Sequence, residues 1–436
     1  MASMRRLMQI LFWSVISAAF IGPGTLTTAA SAGSRYGFAL LWALLFSTVA
    51  CVVLQEASAR VTVASGKPLA KAIRQQFADR AAGVLVVFLV LGAILLGCAA
   101  YEAGNILGSV AGAGLQTSIP PRLFTIVIGL ISGALLYFGT TRTIARVLGV
   151  VVALMGATFL VTAAIVGPSL GNLIRGMFVP SLPAGSSLLV LGLIGTTVVP
   201  YNLFLGSAVA AGQKLGEVRF GLTIAIVFGG VISMGVLVVG TVVAGEFGFA
   251  ALADALASQL GGWAGVFFAF GLFAAGISSA ITAPLAAAIT ARGLFDTDDG
   301  DRWSERSPRF RAVWLGVLTV GVFFGLIDIR PIPAIIVAQA LNGVLLPFVA
   351  VFLFIVVNDR RLMGDSAING ALANILMGLV VAVTIVLGVF KSTQAITSAF
   401  DWARVDDRTL LTISALVTAV LVLPIARDVR KRRTAS

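Results

Sequence analysis

Two clusters in this 436-residue chain set helix-breaking residues beside small polar ones inside otherwise apolar runs. The first is SAAFIGPGTLTTAASAG, with Gly22, Pro23, Gly24 and Thr25 at its centre. The second is LVLGLIGTTVVPYNLFLGSAVAAG, with Thr197, Val199, Pro200, Tyr201 and Asn202. Proline lacks a backbone donor and glycine tolerates open dihedrals, so each cluster frees backbone groups from a helix. Freed carbonyls attract cations, while the amides that open a half-helix attract anions. Between the clusters, YEAGNILGS offers one carboxylate, Glu102, with Asn105 three residues on. An acid inside an apolar segment is costly unless it is used. Gln339, in IPAIIVAQALNGVLLPF, adds a further polar side chain. This donor set suits the binding of a small molecule or ion. It holds no nucleophile–base pair or carboxylate dyad, so an enzyme is not expected. The chain has no histidine, which excludes a His-ligated metal and a His proton relay. Cys51 and Cys98 lie in apolar runs and read as small core residues. The side chains imply no cofactor and no metal site, unless Glu102 anchors a rebuilt one.

The elements that must position these residues are membrane helices. Hydrophobic residues make up 59% of the chain, charged ones 11%, and mean hydropathy is +1.05. Soluble domains carry about 25% charged residues. A soluble enzyme, a nucleic-acid-binding module and a disordered chain are therefore excluded. The +12 net charge reads as loop and lipid-headgroup contacts. Spans of about 20 apolar residues fall at about 8–34, 37–56, 81–111, 122–139, 143–168, 187–211, 220–244, 262–290, 312–328, 331–357, 367–390 and 409–425. They leave a single polytopic domain over residues 1–436, its first helix retained. The polar stretch 295–311 reads as a loop. Most of the 30 lysines and arginines fall on one side when both termini are cytoplasmic. The expectation is a multi-pass protein of the plasma membrane.

The two breaks lie five spans apart. Five is odd, so the half beginning at the second break enters the membrane from the opposite side. Repeats over about 8–168 and 187–357 would then be inverted, with extra helices over about 367–425. That is the plan of a secondary transporter whose substrate sits near the midplane between two broken helices.

The residues also resemble a known family. SAAFIGPGTLTTAASAGSRYGFALLW resembles the first helix of the Nramp divalent-metal transporters, and GLIGTTVVPYNLFLGSA their sixth. LQEASARVTVASGKPLA at 54–70, AAGISSAITAPLAA at 274–287, and IPAIIVAQALNGVLLPF with NDRRLMG within 332–364 resemble further family segments. The resemblance implies an all-α integral membrane protein of about 12 transmembrane helices. It implies a LeuT-type 5+5 inverted repeat, with helices 1 and 6 broken. It also implies a metal site, but the family's ligands do not carry over. Its metal-binding Asp falls on Gly22, its Asn on Thr25, and an acid further along the same helix falls on Ser31. In the sixth helix the Met falls on Val199, one His on Tyr201 and a second on Gly206. The third-helix acid falls on Asn105, with Glu102 one turn away. Gln339 matches a polar residue of the family's site.

Three readings follow. A carboxylate and a soft thioether are what select a divalent transition metal, and both are missing from the positions where the resemblance expects them. The leading expectation is therefore transport of a small molecule other than a transition metal: an amino acid, a carboxylate or another small anion held at the start of the half-helix after Gly22. Gly22 to Thr25, Thr197 to Asn202, Asn105 and Gln339 would line its site, with Glu102 and Ser31 coupling or gating. The first alternative is a divalent metal transporter rebuilt on Glu102 and backbone carbonyls. The second is a non-transporting sensor or subunit. Membrane lipid and a coupling ion are the other expected partners, with Thr27, Thr28, Ser278 and Ser279 as a sodium candidate. Glu56 and Arg60 read as an ion pair, Asp328 and Arg330 as interfacial residues, and the tail RDVRKRRTAS as a lipid anchor.

Overall fold

The computed structural model describes residues 20–77, 83–139, 141–243, 247–296, 301–327, 329–399 and 406–434, with Trp13 and Ile16. Most of the first half of the expected first span, and Asp328, lie outside the described residues. Described elements are helices, with no strand among the described residues. Ten are long and apolar enough to cross a membrane, or eleven with one bent pair. That matches eleven of the twelve expected spans; of the twelfth, the second half is the described helix α1.

The chain order is α1 (Pro23–Tyr36), α2 (Leu41–Ser65), α3 (Leu69–Phe77), α4 (Gly83–Gly114), α5 (Pro121–Phe138), α6 (Thr141–Val166) and α7 (Leu170–Phe178). Next come α8 (Ser187–Thr197), α9 (Pro200–Val209), α10 (Leu215–Gly240), α11 (Phe249–Leu260) and α12 (Gly262–Phe295). The chain closes with α13 (Pro308–Leu326), α14 (Pro331–Val356), α15 (Arg360–Ala367), α16 (Ala371–Ala399) and α17 (Asp407–Thr434). The fifth span differs from a straight helix: α6 and α7 meet at 118°. Gly167 has a φ of 66° there, a left-handed turn that glycine adopts without strain, and Pro168 follows it. Among the described residues of the 295–311 stretch, a 3-10 turn, Asp301–Trp303, sets Trp303 on Phe295, and the stretch ends within the first turn of α13 rather than as loop.

Helices in lipid gain little from burying apolar surface against one another, so close packing through small residues holds them together. Helix α1 shows this. A methyl group on Gly33 would lie 2.0 Å from the Leu237 carbonyl oxygen of α10, and one on Gly240 would lie 2.3 Å from that of Ala30. Only glycine lets these two backbones meet. The described core of α1, from Pro23 to Gly33, is wholly buried against α8, α10, α14 and α4.

One face of the bundle is tied by charge. Arg60 pairs with Glu56 one turn earlier (3.1 Å), as expected, and Glu56 also accepts from Arg219 (2.8 Å). Arg432 of the basic tail meets Asp359 at 3.0 Å and Asp428 at 2.8 Å. Arg433 donates to Asn358 and to the Asn369 carbonyl. The tail is therefore not wholly a lipid anchor: part of it docks under the bundle. Side chains of Arg432 and Asp359 are 7% and 9% exposed. Leaving one charge of a buried pair alone costs roughly 3–5 kcal/mol; Arg432 keeps Asp428, so the loss of Asp359 costs less than that. Asp359→Asn is expected to lower the midpoint of thermal denaturation in detergent by several degrees. Lys431→Ala, at an exposed position, is expected to leave it unchanged. Gel filtration after graded heating makes the comparison.

Candidate functional site

Both breaks fall just before their prolines. Gly22 is extended (φ −119°, ψ −175°) and Pro23 opens α1; Val199 is extended (φ −87°, ψ 126°) and Pro200 opens α9. Proline suits the first helical position, where the missing amide would have no partner. The freed residues are thus Ile21 and Gly22 on one side and Val198 and Val199 on the other. The Gly22 carbonyl accepts from the Leu26 amide at 3.1 Å.

A hydroxyl pair joins the two breaks: Thr25 Oγ1 lies 2.8 Å from Thr196 Oγ1. Thr25 also donates to the Phe20 carbonyl. Asn202 Nδ2 donates to the Ile16 carbonyl at 3.1 Å, fastening α9 to the segment before the first break. Helix α4 brings the third wall. Tyr101 donates to the Thr196 carbonyl at 3.4 Å, stands within hydrogen-bonding reach of Gln339, and meets the Tyr201 ring edge-on at 5.5 Å. Asn105 Nδ2 donates to Glu102 Oε2 at 3.3 Å. A side chain at residue 22 would point at Ser279 Oγ (2.6 Å) and Asn105 Oδ1 (3.5 Å). A methyl at residue 24 would overlap the Gln339 amide (1.6 Å). Pro23 packs on Gly108 of α4.

The structure thus brings Gly22, Gly24, Thr25, Asn105, Glu102, Tyr201 and Gln339 around one centre. Pro23, Thr197, Val199, Pro200 and Asn202 are buried in its walls, Thr197 bonded back to the Leu193 carbonyl. Ser31 is buried but stands eight residues along α1 from Pro23, roughly 12 Å of helical rise, and does not reach the centre. Of the sodium candidates, Thr28 and Ser278 spend their hydroxyls on their own helix carbonyls. Sequence reasoning missed Tyr101, Thr196 and Thr282; the last of these bonds Tyr201.

The electrostatics decide what such a centre can hold. Glu102, Gln339 and Asn202 are each at most 2% exposed, and each keeps one side-chain oxygen without a hydrogen-bond partner. No lysine or arginine occurs in residues 20–31, 96–109, 190–209, 274–287 or 335–343, the segments that meet here. Unpartnered oxygens and one acid call for a cation. The anion expectation is not supported: Pro23 supplies no amide, Gln339 covers the flank of Gly24, and no fixed positive charge stands near. Nor is a ready-made cage of acids present, since no three Asp, Glu or Cys side chains gather among the described residues.

The family model described as natural resistance-associated macrophage protein-like, Nramp, matches residues 14–393. The chain is 28% identical over 407 residues to a divalent metal cation transporter of Deinococcus radiodurans, covering 88% of each chain. It is 26% identical over 399 residues to one of Bacillus subtilis, covering 86% of this chain and 89% of that one. Among solved structures, the Eremococcus coleocola manganese transporter superposes with a TM-score of 0.74 at 19% identity, over 98% of this chain and 95% of that one. Mhp1, a nucleobase-cation-symport-1 family transporter with bromovinylhydantoin bound, superposes with a TM-score of 0.56 at 16% identity, over 97% of this chain and 92% of that one. At those identities the two structures speak for the fold alone, which is the LeuT-type one with its first and sixth helices broken.

Proposed function

The chain belongs to the Nramp family of multi-pass secondary transporters, and from that premise we propose that its cargo is a divalent metal cation, carried by alternating access through a rebuilt site. The observation that carries this reading is the set of buried, unpartnered oxygens on Glu102, Gln339 and Asn202, with no basic side chain in the surrounding segments. Relatives named as divalent metal cation transporters support it.

In this reading Glu102 supplies the one fixed negative charge. Asn105 lies between Glu102 and the first break. Its side chain holds the carboxylate in place and turns its own oxygen toward the cation. Gln339 and the carbonyls freed at Ile21 and Val198 complete an oxygen set, and retained water fills the remaining positions. Divalent cations of the magnesium, calcium and manganese type take oxygen ligands, and the smaller ones keep several waters. With Val199 where the family has a thioether, nothing soft remains to favour late transition metals. The hydroxyl bridge Thr25–Thr196 and the Asn202–Ile16 bond join segments that must part when the site opens. The orientation that best fits the basic residues places both termini in the cytoplasm of a plasma-membrane protein.

The sign of the cargo's charge is testable. Proteoliposomes loaded with a manganese-quenched dye are given an inside-negative potential with potassium and valinomycin. Manganese influx is expected to be saturable and to speed up as the interior becomes more negative. Influx of a carboxylate or amino acid in place of manganese would overturn the reading.

A further inference from the structure

A cavity of about 560 Å³ opens on the outer surface of the bundle between α4, α13 and α14. It falls in the range of roughly 300–1,000 Å³ that holds one small organic ligand. Its walls are apolar, including Leu96, Ala99 and Ala103 of α4 and Val337 and Leu341 of α14. Leu96 and Val337 are 63% and 67% exposed, so the groove faces out of the protein. At one end stands a single charged side chain, Arg330, at the start of α14.

Position along α14 sets a length. Arg330 caps the start of the span-length apolar helix Pro331–Val356, which sets it at headgroup level, and Leu341 lies eleven residues further along, roughly 16 Å of helical rise. The hydrocarbon core of a bilayer is about 30 Å thick, so the groove runs from a headgroup level to the midplane. The three alanines on α4 (Ala99, Ala100 and Ala103) make it a recess rather than a ridge. A recess in the lipid-facing surface contains no water, so an apolar chain must fill it. Its length is that of one leaflet, and the cation at its mouth matches a phosphate. Arginine binds phosphate through a planar fork of donors.

We propose that this groove binds one membrane phospholipid, with an acyl chain between α4, α13 and α14 and its phosphate at Arg330. The site stands directly behind the transport centre. Ala100 and Ala103 flank Tyr101 and Glu102 on α4, Ala338 precedes Gln339 on α14, and Gly321 of α13 touches Glu102. A bound chain would fill the space into which these helices would otherwise relax. The inference does not depend on which cargo the centre carries.

The test uses the full chain in nanodiscs containing a small fraction of a phospholipid with a diazirine in its acyl tail. After illumination, cross-linked peptides are mapped by mass spectrometry. Cross-links are expected to concentrate on Leu96, Val337 and Leu341. Arg330→Gln is expected to lower them by about fivefold, the equivalent of roughly 1 kcal/mol for one basic residue at a lipid surface. Ala99→Phe, which fills the recess, is expected to remove them; Arg330→Gln lies at an exposed helix end and covers the case in which the bulkier variant fails to fold. Cross-links spread evenly over all lipid-facing helices, or cross-links unchanged in Arg330→Gln, would each overturn the proposal.

Discussion

Glu102→Gln is expected to abolish saturable manganese uptake, lowering it by about thirtyfold or more. Glutamine has the same shape and still bonds Asn105, so the fold is kept and only the charge is lost. Glu102 is fully buried and bonded at one oxygen. A divalent ion entering this centre gives up part of its hydration, and one fixed negative charge is what compensates it. Truncating one member of a buried charge pair costs roughly 2–5 kcal/mol, and 1.4 kcal/mol is a factor of ten. Gel filtration of the variant should match the parent chain, and Glu102→Asp should recover part of the uptake. Uptake in Glu102→Gln at the parent rate would show that this acid is structural.

The second large effect is a gain. Gly22 stands where the resemblance places the family's metal-binding Asp. A side chain there points toward Asn105 and at the hydroxyl of Ser279, which lies 2.6 Å from the added carbon. Gly22→Asp combined with Ser279→Gly supplies the carboxylate and clears its path. Gly22 has a negative φ of 119° in magnitude, which any residue adopts. A charge-assisted contact contributes roughly 1.5–3 kcal/mol, so apparent manganese affinity is expected to rise about tenfold or more. Concentration dependence of uptake reads this directly. An unchanged or weakened affinity, with the protein still monodisperse, would place the cation away from Gly22.

The breaks were legible in the sequence because they are made of local chemistry. Pro23 and Pro200 cannot continue the helix before them, and their matching positions within spans five apart show in the text of the chain. Glu102 and Asn105 stood out for a similar reason, as the acid and the amide of an apolar segment at helical spacing. The anion expectation is not supported because a half-helix start was read without its surroundings. Gln339 is more than 300 residues from Gly24 and yet lies against it, a contact fixed only by packing. The Thr25–Thr196 bridge spans 171 residues, and a threonine in a membrane helix carries no mark of such a partner. Tyr101 escaped notice because an aromatic residue in an apolar run reads as filler; its neighbour Glu102 was the available clue. The basic tail shows the same limit, since Arg432 is buried on Asp359, 73 residues away. The α6–α7 bend, by contrast, sits on Gly167-Pro168 and was available to a local reading.

The central claim is that a chain without the family's Asp, Asn and Met still carries a divalent cation. The most direct measurement is manganese influx into dye-loaded proteoliposomes, beside the Deinococcus radiodurans relative as positive control. Saturable quenching by both proteins is the result predicted here. Quenching by the control alone, together with uptake of an amino acid or small carboxylate by this chain, would contradict it.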